Sequence, residues 1–333
     1  MTIETVAAIP VTYNHVVAFE VSKAEIHVCS LPGGTVCKIK NDASAIRRVL
    51  KKEIRRNTSL GLGQLLVVCE ATGSYDRKVI DGASELGVAA HRAHGSQVRA
   101  FAKFRGLKAK TDKIDAPLLA DFGAASKNAR LYARPSPEQV ELRELVERRT
   151  ELREMLEAET ARIEHVRSKA VIGDMKAHVR QLEKRVADME MRINALVEAT
   201  ERFAINAALM RSVKGVGPLT AAAVLAYLPE IGTIARGTVA ALAGLAPYDN
   251  QSGAFDGRRH IAGGRAGLRK ALYMAARVAA RCNAHLADLA RRIKARGRED
   301  KVAITAVMRK LLVILNAVVA SGQPCRMVAA RRL

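Results

Sequence analysis

Apolar and polar positions change their rhythm along the chain. In the first section, short apolar runs are bounded by turn signals. "HVVAFEVSK", "EIHVCSL" and "TVCKIK" read as strands, and "LPGG" turns the second back on the third, so a meander is predicted. "DASAIRRVLKKEIRR" then takes helical spacing with Asp42 as its N-cap. "QLLVVCE" is a further apolar run, "DRKVIDGASELG" a helix closed by Gly87, and "VAAHRA" a last short strand. The pattern predicts a mixed sheet with helices packed on it, over residues 12–134.

From Pro135 to about Thr200 the chain fills with Glu, Arg, Leu and Met. Leu142, Leu156 and Ile163 follow one heptad track, interrupted by Arg149. Leu145, Leu152 and Val166 follow another, interrupted by Glu159. After Gly173, Val179, Val186 and Ile193 alternate with Leu182, Met189 and Leu196 at a and d spacing. Two long helices forming a coiled coil over 135–201, within one chain or between chains, is the reading; helices of a globular bundle carry a similar pattern. From about Phe203 the chain is Ala-rich and helical with almost no strand signal, which predicts an all-helical section over 202–330. The expected fold class is α/β plus α.

The strand "VVAFE" runs into a bare carboxylate, Glu20. An apolar run of this kind is buried on both faces, and a buried carboxylate needs a partner or a metal. "LLVVCEATGSY" repeats the pattern and delivers Glu70. In "KTDKIDA", Asp112 and Asp115 stand three apart, on one face of a helix. A basic stretch containing Lys103, Arg105, Lys108 and Lys110 precedes them. Carboxylates brought together repel unless a divalent cation neutralises them, and Mg2+ takes oxygen ligands with substrate phosphates completing its shell. Each piece alone is weak, since a lone DxxD is usually a solvated helix start and a strand-end acid often a cap.

"SVKGVGPLT" places Gly215 and Gly217 ahead of Pro218, a residue suited to the first helical position. This is the form of a helix-hairpin-helix turn, whose backbone N–H groups face a phosphate without reading bases; the plain alternative is a tight turn between helices. The glycine-rich loop "NQSGAFDGRRHIAGGRAGLRK" carries Ser252 and the cations Arg258, Arg259, Arg265, Arg269 and Lys270. A Ser-Gly there is most often a turn, and a nucleophilic serine beside phosphate-binding arginines is the functional alternative. His165 and His260 read as structural.

Charge sharpens the picture. Lys plus Arg number 55 against 33 Asp plus Glu, a net charge of +22, which favours a polyanionic partner and above all nucleic acid. Uninterrupted apolar runs fall short of the ~18 residues of a spanning helix. The N-terminus lacks the basic start of a signal peptide. The five cysteines have neither CxxC pairs nor framework spacing, which points to a reduced, cytoplasmic setting without membrane, disulfides or structural zinc.

Taken in order, "AFEVSK", "CEATGSY", "KTDKIDA", the heptads, "VKGVGPLTAAAVLAYL", "LAGLAPYDNQSG" and "LRKALYMAA" resemble the Piv-type DEDD transposases, the insertion sequence one-hundred-and-ten family, over roughly residues 14 to 325. The resemblance implies an RNase H-like (RuvC-like) first domain with Glu20, Glu70, Asp112 and Asp115 as its Mg2+-binding acids; the family's first acid is Asp, and here it is Glu. It implies Ser252 as the nucleophile that takes a DNA phosphate covalently. Its implied partners are target and donor DNA, a noncoding bridge RNA that selects the sites by pairing, and further copies of the chain in a dimer or tetramer. Two rivals remain open: a site-specific invertase without a guide RNA, and a catalytically silent nucleic-acid-binding relative.

Overall fold

The computed structural model describes residues 13–107, 112–126, 129–252 and 255–325, with the backbone alone for 112–114, 249–252 and 255–259. The chain divides after Arg134 into two units.

In the first unit β1 (His15–Val21), β2 (Glu25–Leu31) and β3 (Thr35–Lys40) form the expected antiparallel meander, followed by α1 (Ala43–Leu60), β4 (Leu65–Glu70), α2 (Arg77–Glu85), β5 (Ala89–Ala93), α3 (Gly95–Phe104) and α4 (Asp112–Ala125). The sheet order is β3-β2-β1-β4-β5, with β1, β4 and β5 parallel to one another. The apolar runs of β1 and β4 are continuous because both faces are covered. Val17, Phe19, Val67 and Cys69 pack beneath Ile46 and Leu50 of α1 and Val79, Ile80 and Ala83 of α2. Val16, Ala18, Leu66 and Val68 pack beneath Val98 of α3 and Ala116, Leu119 and Ala120 of α4. Burying each of these larger aliphatic side chains contributes roughly 1.5–3 kcal/mol.

The cap expected at Asp42 is present: its Oδ1 accepts from Ala45 N at 2.8 Å, which holds the carboxyl below the usual range. A buried carboxylate on α1, Glu53, meets a buried histidine on β1, His15, at 3.0 Å, and Ser30 Oγ donates to the same oxygen at 2.7 Å. This network ties α1 to β1 and β2 and satisfies the groups it buries. On the other face α4 comes unusually close to the sheet. A Cβ at Gly123 would lie 2.6 Å from Val68 Cγ2 and 2.9 Å from Val16 Cγ1, so glycine is needed there for the contact and not for a special backbone angle.

The second unit begins with α5 (Pro137–Ile163) and α6 (Lys169–Ala199), followed by α7 (Glu201–Arg211), α8 (Pro218–Tyr227), α9 (Arg236–Leu242), β6 (Pro247–Ser252), β7 (Phe255–Ile261), α10 (Ala266–Cys282), α11 (Ala284–Ala295) and α12 (Asp300–Ser321). α5 and α6 pair within the chain as a helical hairpin, with Leu152, Leu182 and Val186 buried between them. The residues that interrupt the heptads of α5 are those that pair with α6: Arg149 donates to Glu190 at 2.6 and 2.9 Å, and Glu159 lies 3.1 Å from His178. The base of the hairpin shares one core with the later helices, through Leu142, Val146, Ile193 and Val197. α12 is long and apolar enough to cross a membrane by length and composition alone; here Val307, Leu311, Leu312 and Leu315 are fully buried in that core, and Asn316 accepts from Gly232 N at 2.9 Å.

One expectation is corrected. The last section is not all helical, because the "PYDNQS" and "FDGRRHI" segments pair as an antiparallel two-stranded ribbon. The ribbon was invisible to patterning for a physical reason. Its strands are largely polar, so no period-2 apolar alternation marks them, and the pairing is made by backbone groups.

Candidate acidic site and nucleic-acid interface

The strand order brings two of the predicted acids to neighbouring strand ends. β1 and β4 are parallel with Phe19 opposite Cys69, so Glu20 and Glu70 stand one step further on, at the C-terminal ends of adjacent strands. Phe19 and Cys69 face α1 and α2. By alternation Glu20 and Glu70 face the other side, which α3 and α4 cover. Asp115, partly exposed, and the backbone of Asp112 lie in the first turn of α4, where the helix dipole favours negative charge.

Each strand acid already has surroundings of its own. Glu20 Oε2 lies 3.6 Å from His27 Nδ1, and the two residues face each other across β1 and β2. Glu70 lies against the N-terminus of α3: a Cβ at Gly95 would overlap its carboxylate, with the Cδ 3.3 Å away. His94 caps this helix and accepts from Ser96 N. Two residues after Glu70, Thr72 Oγ1 is buried without a hydrogen-bond partner among the described residues.

The loops that follow both acids are clamped. Asn41 donates through Nδ2 to Ser22 O at 2.8 Å and to Tyr75 O at 3.3 Å, joining the turn after β1 to the loop after β4. That loop ends at Asp76, which is wholly buried and receives the Arg92 guanidinium on both carboxylate oxygens. The same guanidinium donates to Gly73 O at 3.0 Å. The Asp76 hydrogen bond holds the Arg92 guanidinium above its ordinary pKa. Burial pushes the thiol of Cys69, next to Glu70, well up and keeps it inert. His27, Asn41, Asp76 and Arg92 make the contacts around the strand acids and their loops, and motif reading missed them. The facing of His27 and Glu20 was recoverable from the short turn between two alternating strands; the others join segments far apart in sequence.

The donor set suits Mg2+ in kind: hard carboxylate oxygens on neighbouring strand ends and on the helix packed over them. Among the described residues no three His, Cys, Asp or Glu converge closely enough to hold a metal. The side chain of Asp112 is not among those described.

In the second unit Ser252 is the last residue of β6, paired with Phe255 at the tip of the ribbon, and its backbone is what is described. The same holds for Arg258 and Arg259 on β7. Arg265 and Arg269 serve the fold. Arg265 makes a two-pronged contact with Glu230 at 2.7 and 2.8 Å and donates to Tyr227 O at 2.7 Å. Arg269 donates to Ala243 O at 3.2 Å and also to Gly263 O. Lys270 lies on the surface, 2.6 Å from Glu154. Near α3, Lys103 is exposed and Arg105 pairs with Asp121 at 2.9 Å. Lys108 and Lys110 lie outside the described residues.

The two glycines of "KGVGP" divide their work. Gly215 has φ +101°, and a Cβ there would lie 2.6 Å from Ala279 Cα of α10, so it is required by backbone angle and by packing. Gly217, the N-cap of α8, has an ordinary φ of −90°, nothing within 4 Å of where its Cβ would be, and no side-chain cap. Gly217 and Pro218 are exposed, so the uncapped start of α8 lies at the surface.

Residues 17–172 match the DEDD-type family model described as "Transposase", and residues 207–291 match the "Transposase IS116/IS110/IS902 family". The chain is 29% identical over 265 residues to the pilin gene-inverting protein of Moraxella lacunata and to that of Moraxella bovis, covering 78% of this chain and 81% of each relative. The first family match spans the strand acids, α4 and the start of the hairpin; the second spans the Gly215–Gly217 turn, Ser252 and α10. The two family matches fall on the mixed-sheet unit with the hairpin and on the helical unit, and the chain belongs to the IS110-type DEDD transposases, which are DNA recombinases.

Proposed function

We propose that this chain cuts and rejoins DNA of a mobile element through a covalent phosphoserine at Ser252, assisted by an RNase H-like acidic site and guided by a structured noncoding RNA. The observation that carries the acidic half is the shared face and level of Glu20 and Glu70, with the first turn of α4 over the same face. Glu20, Glu70, Asp112 and Asp115 would hold Mg2+, which supplies Lewis-acid neutralisation of phosphodiester charge. In the cleavage step, Ser252 Oγ bonds to phosphorus, the bond from phosphorus to the leaving sugar oxygen breaks, and that oxygen takes up a proton. Rejoining runs the same exchange in reverse with another strand end, so no energy source is consumed. Glu70, held against the N-terminus of α3, and Glu20, faced by His27, keep their carboxylates at one end of the sheet. The clamp of Asn41, Asp76 and Arg92 keeps the flanking loops from relaxing.

The open N-terminus of α8 supports phosphate binding without base readout, and the net charge of +22 supports a large polyanionic load. Sequence choice then rests with RNA pairing, as in other guided systems. The second reading is inversion of a DNA segment without a guide, favoured by the name of both relatives as gene-inverting proteins. Purifying the chain from its host and sequencing the bound nucleic acid separates the two: one enriched structured RNA supports guidance, and its absence supports inversion. Ser252→Ala should abolish the covalent protein–DNA adduct on denaturing gels while duplex binding persists; an adduct formed by the alanine variant would remove Ser252 from the mechanism.

A further inference from the structure

The sequence "RRVLKKEIRR" enters the fold as α1, whose buried side is Ile46, Leu50 and Glu53. The opposite side is a stripe of cations. Arg48, Lys51, Lys52 and Arg55 are all exposed and recur at i, i+3, i+4 and i+7. At 3.6 residues per turn they fall within an arc of about 100° and extend about 10 Å along the axis. Their neighbours on the helix show what a satisfied cation looks like here. Arg47 pairs with Glu85 at 2.8 Å, and Arg56 reaches Glu53, Ser30 and Pro32 O. None of the four stripe residues has an ion pair among the described residues. The N-cap Asp42 feels Arg48 only as a neighbouring charge. Cations three and four apart on a helix repel one another, so the stripe works against its own helix until a polyanion covers it.

The stripe also lies on the wrong side to belong to the acidic site. α1 covers the face of Val17 and Phe19, whereas Glu20 and Glu70 point to the face covered by α3 and α4. We propose that the outer face of α1 is a second nucleic-acid docking surface, which grips the phosphate backbone of duplex DNA beyond the site of strand exchange. Charge complementarity selects a polyanion, and the family's reaction makes DNA the polyanion that must be present. The stripe itself carries neither aromatic nor amide side chains, so it reads backbone and shape, not bases. The inference rests on the recombinase reading only in taking DNA as the partner.

The test measures binding of a mixed-sequence DNA duplex, and of an RNA duplex of the same length, to the full chain by fluorescence anisotropy over a range of NaCl. In the variant Arg48→Gln/Lys51→Gln/Lys52→Gln/Arg55→Gln, loss of four phosphate contacts should flatten the log–log salt slope by about 3.6. Each doubling of salt should then cost the wild type about 12-fold more affinity than the variant. Arg48→Gln/Lys52→Gln should flatten the slope by about half as much, and Arg47→Gln, whose charge is already paired, should leave it unchanged. Gln is a good helix former, and melting curves should show the stripe variants as stable as the wild type or more so, with Arg47→Gln losing at most about 1 kcal/mol through its ion pair. A slope within one unit of wild type in the four-residue variant overturns the proposal, as does a loss confined to duplex RNA. If the wild type binds no duplex DNA, the recombinase reading itself has failed; if it binds and the variants match it, only this inference has.

Discussion

Gly123→Ala tests whether the closeness of α4 to the sheet is what places its acids. A carbon–carbon contact relaxes at ~3.5–4.0 Å, and the new methyl would find Val68 Cγ2 at 2.6 Å and Val16 Cγ1 at 2.9 Å, a shortfall of about 1 Å. Neither valine can yield by rotation: both are buried and β-branched, with χ1 held by the strand. Overpacking of this kind costs roughly 1–3 kcal/mol, while alanine recovers about 0.8–1 kcal/mol of helix propensity. The net loss of stability is therefore small, about 0–2 kcal/mol, and the first unit should melt only a few degrees lower. The geometric effect is larger. Lifting α4 by about 1 Å moves Asp115 and the start of the helix away from Glu20 and Glu70, and a misplacement of that size can cost about 100-fold in rate. Strand cleavage of a labelled DNA substrate should drop by that order while duplex affinity holds. Adding Val68→Ala and Val16→Ala together removes both obstructing methyl groups and should restore most of the rate, a non-additivity characteristic of neighbours in contact. Cleavage within threefold of wild type in Gly123→Ala, or no rescue by the paired Val68→Ala and Val16→Ala changes, would refute the argument that this contact sets the site.

Three further outcomes follow from the same structure. Glu70→Gln keeps the shape of the side chain and removes its charge, so cleavage should fall by roughly 10²–10³, the scale of losing one group aimed at transition-state charge, with anisotropy showing unchanged DNA binding; undiminished cleavage would exclude Glu70 from the site. Gly217→Asp should add a side-chain cap to α8 and stabilise it by a few tenths of a kcal/mol while weakening DNA affinity, whereas Gly215→Ala should cost about 3 kcal/mol through its positive φ and the Ala279 contact; calorimetry and binding together would expose an equal effect of the two. A thiol reagent applied to the folded chain should label the exposed Cys37 and Cys282 and spare the buried Cys29 and Cys69 until denaturant is added; labelling of Cys69 in native protein would contradict its burial beside Glu70.

The strands of the first unit, α1 and α2 were readable because each was signalled locally, whereas α3 was not among the expected elements. The apolar runs of β1 and β4, the "LPGG" turn and the Asp42 cap are short-range features, and packing merely accepted them. The hairpin of α5 and α6 was readable as two helices for the same reason, although the interruptions at Arg149 and Glu159 acquired a meaning only when Glu190 and His178 arrived opposite them. The β6–β7 ribbon was missed because backbone pairing leaves no trace in polar side chains.

The acids themselves were visible as residue types at strand ends; their common face was not. That depends on strand order and register, and so on β4 choosing β1 as its parallel neighbour across an intervening helix. The clamp from Asp76 to Arg92, the room made for Glu70 by Gly95, and the fate of Arg265 and Arg269 as fold-holding groups are contacts between distant segments. Local patterning carries propensity and charge because these act over a few residues. Which charges end up spent on the protein and which stay open to a ligand is settled by long-range packing, and there a paired arginine and a free one look alike in the sequence.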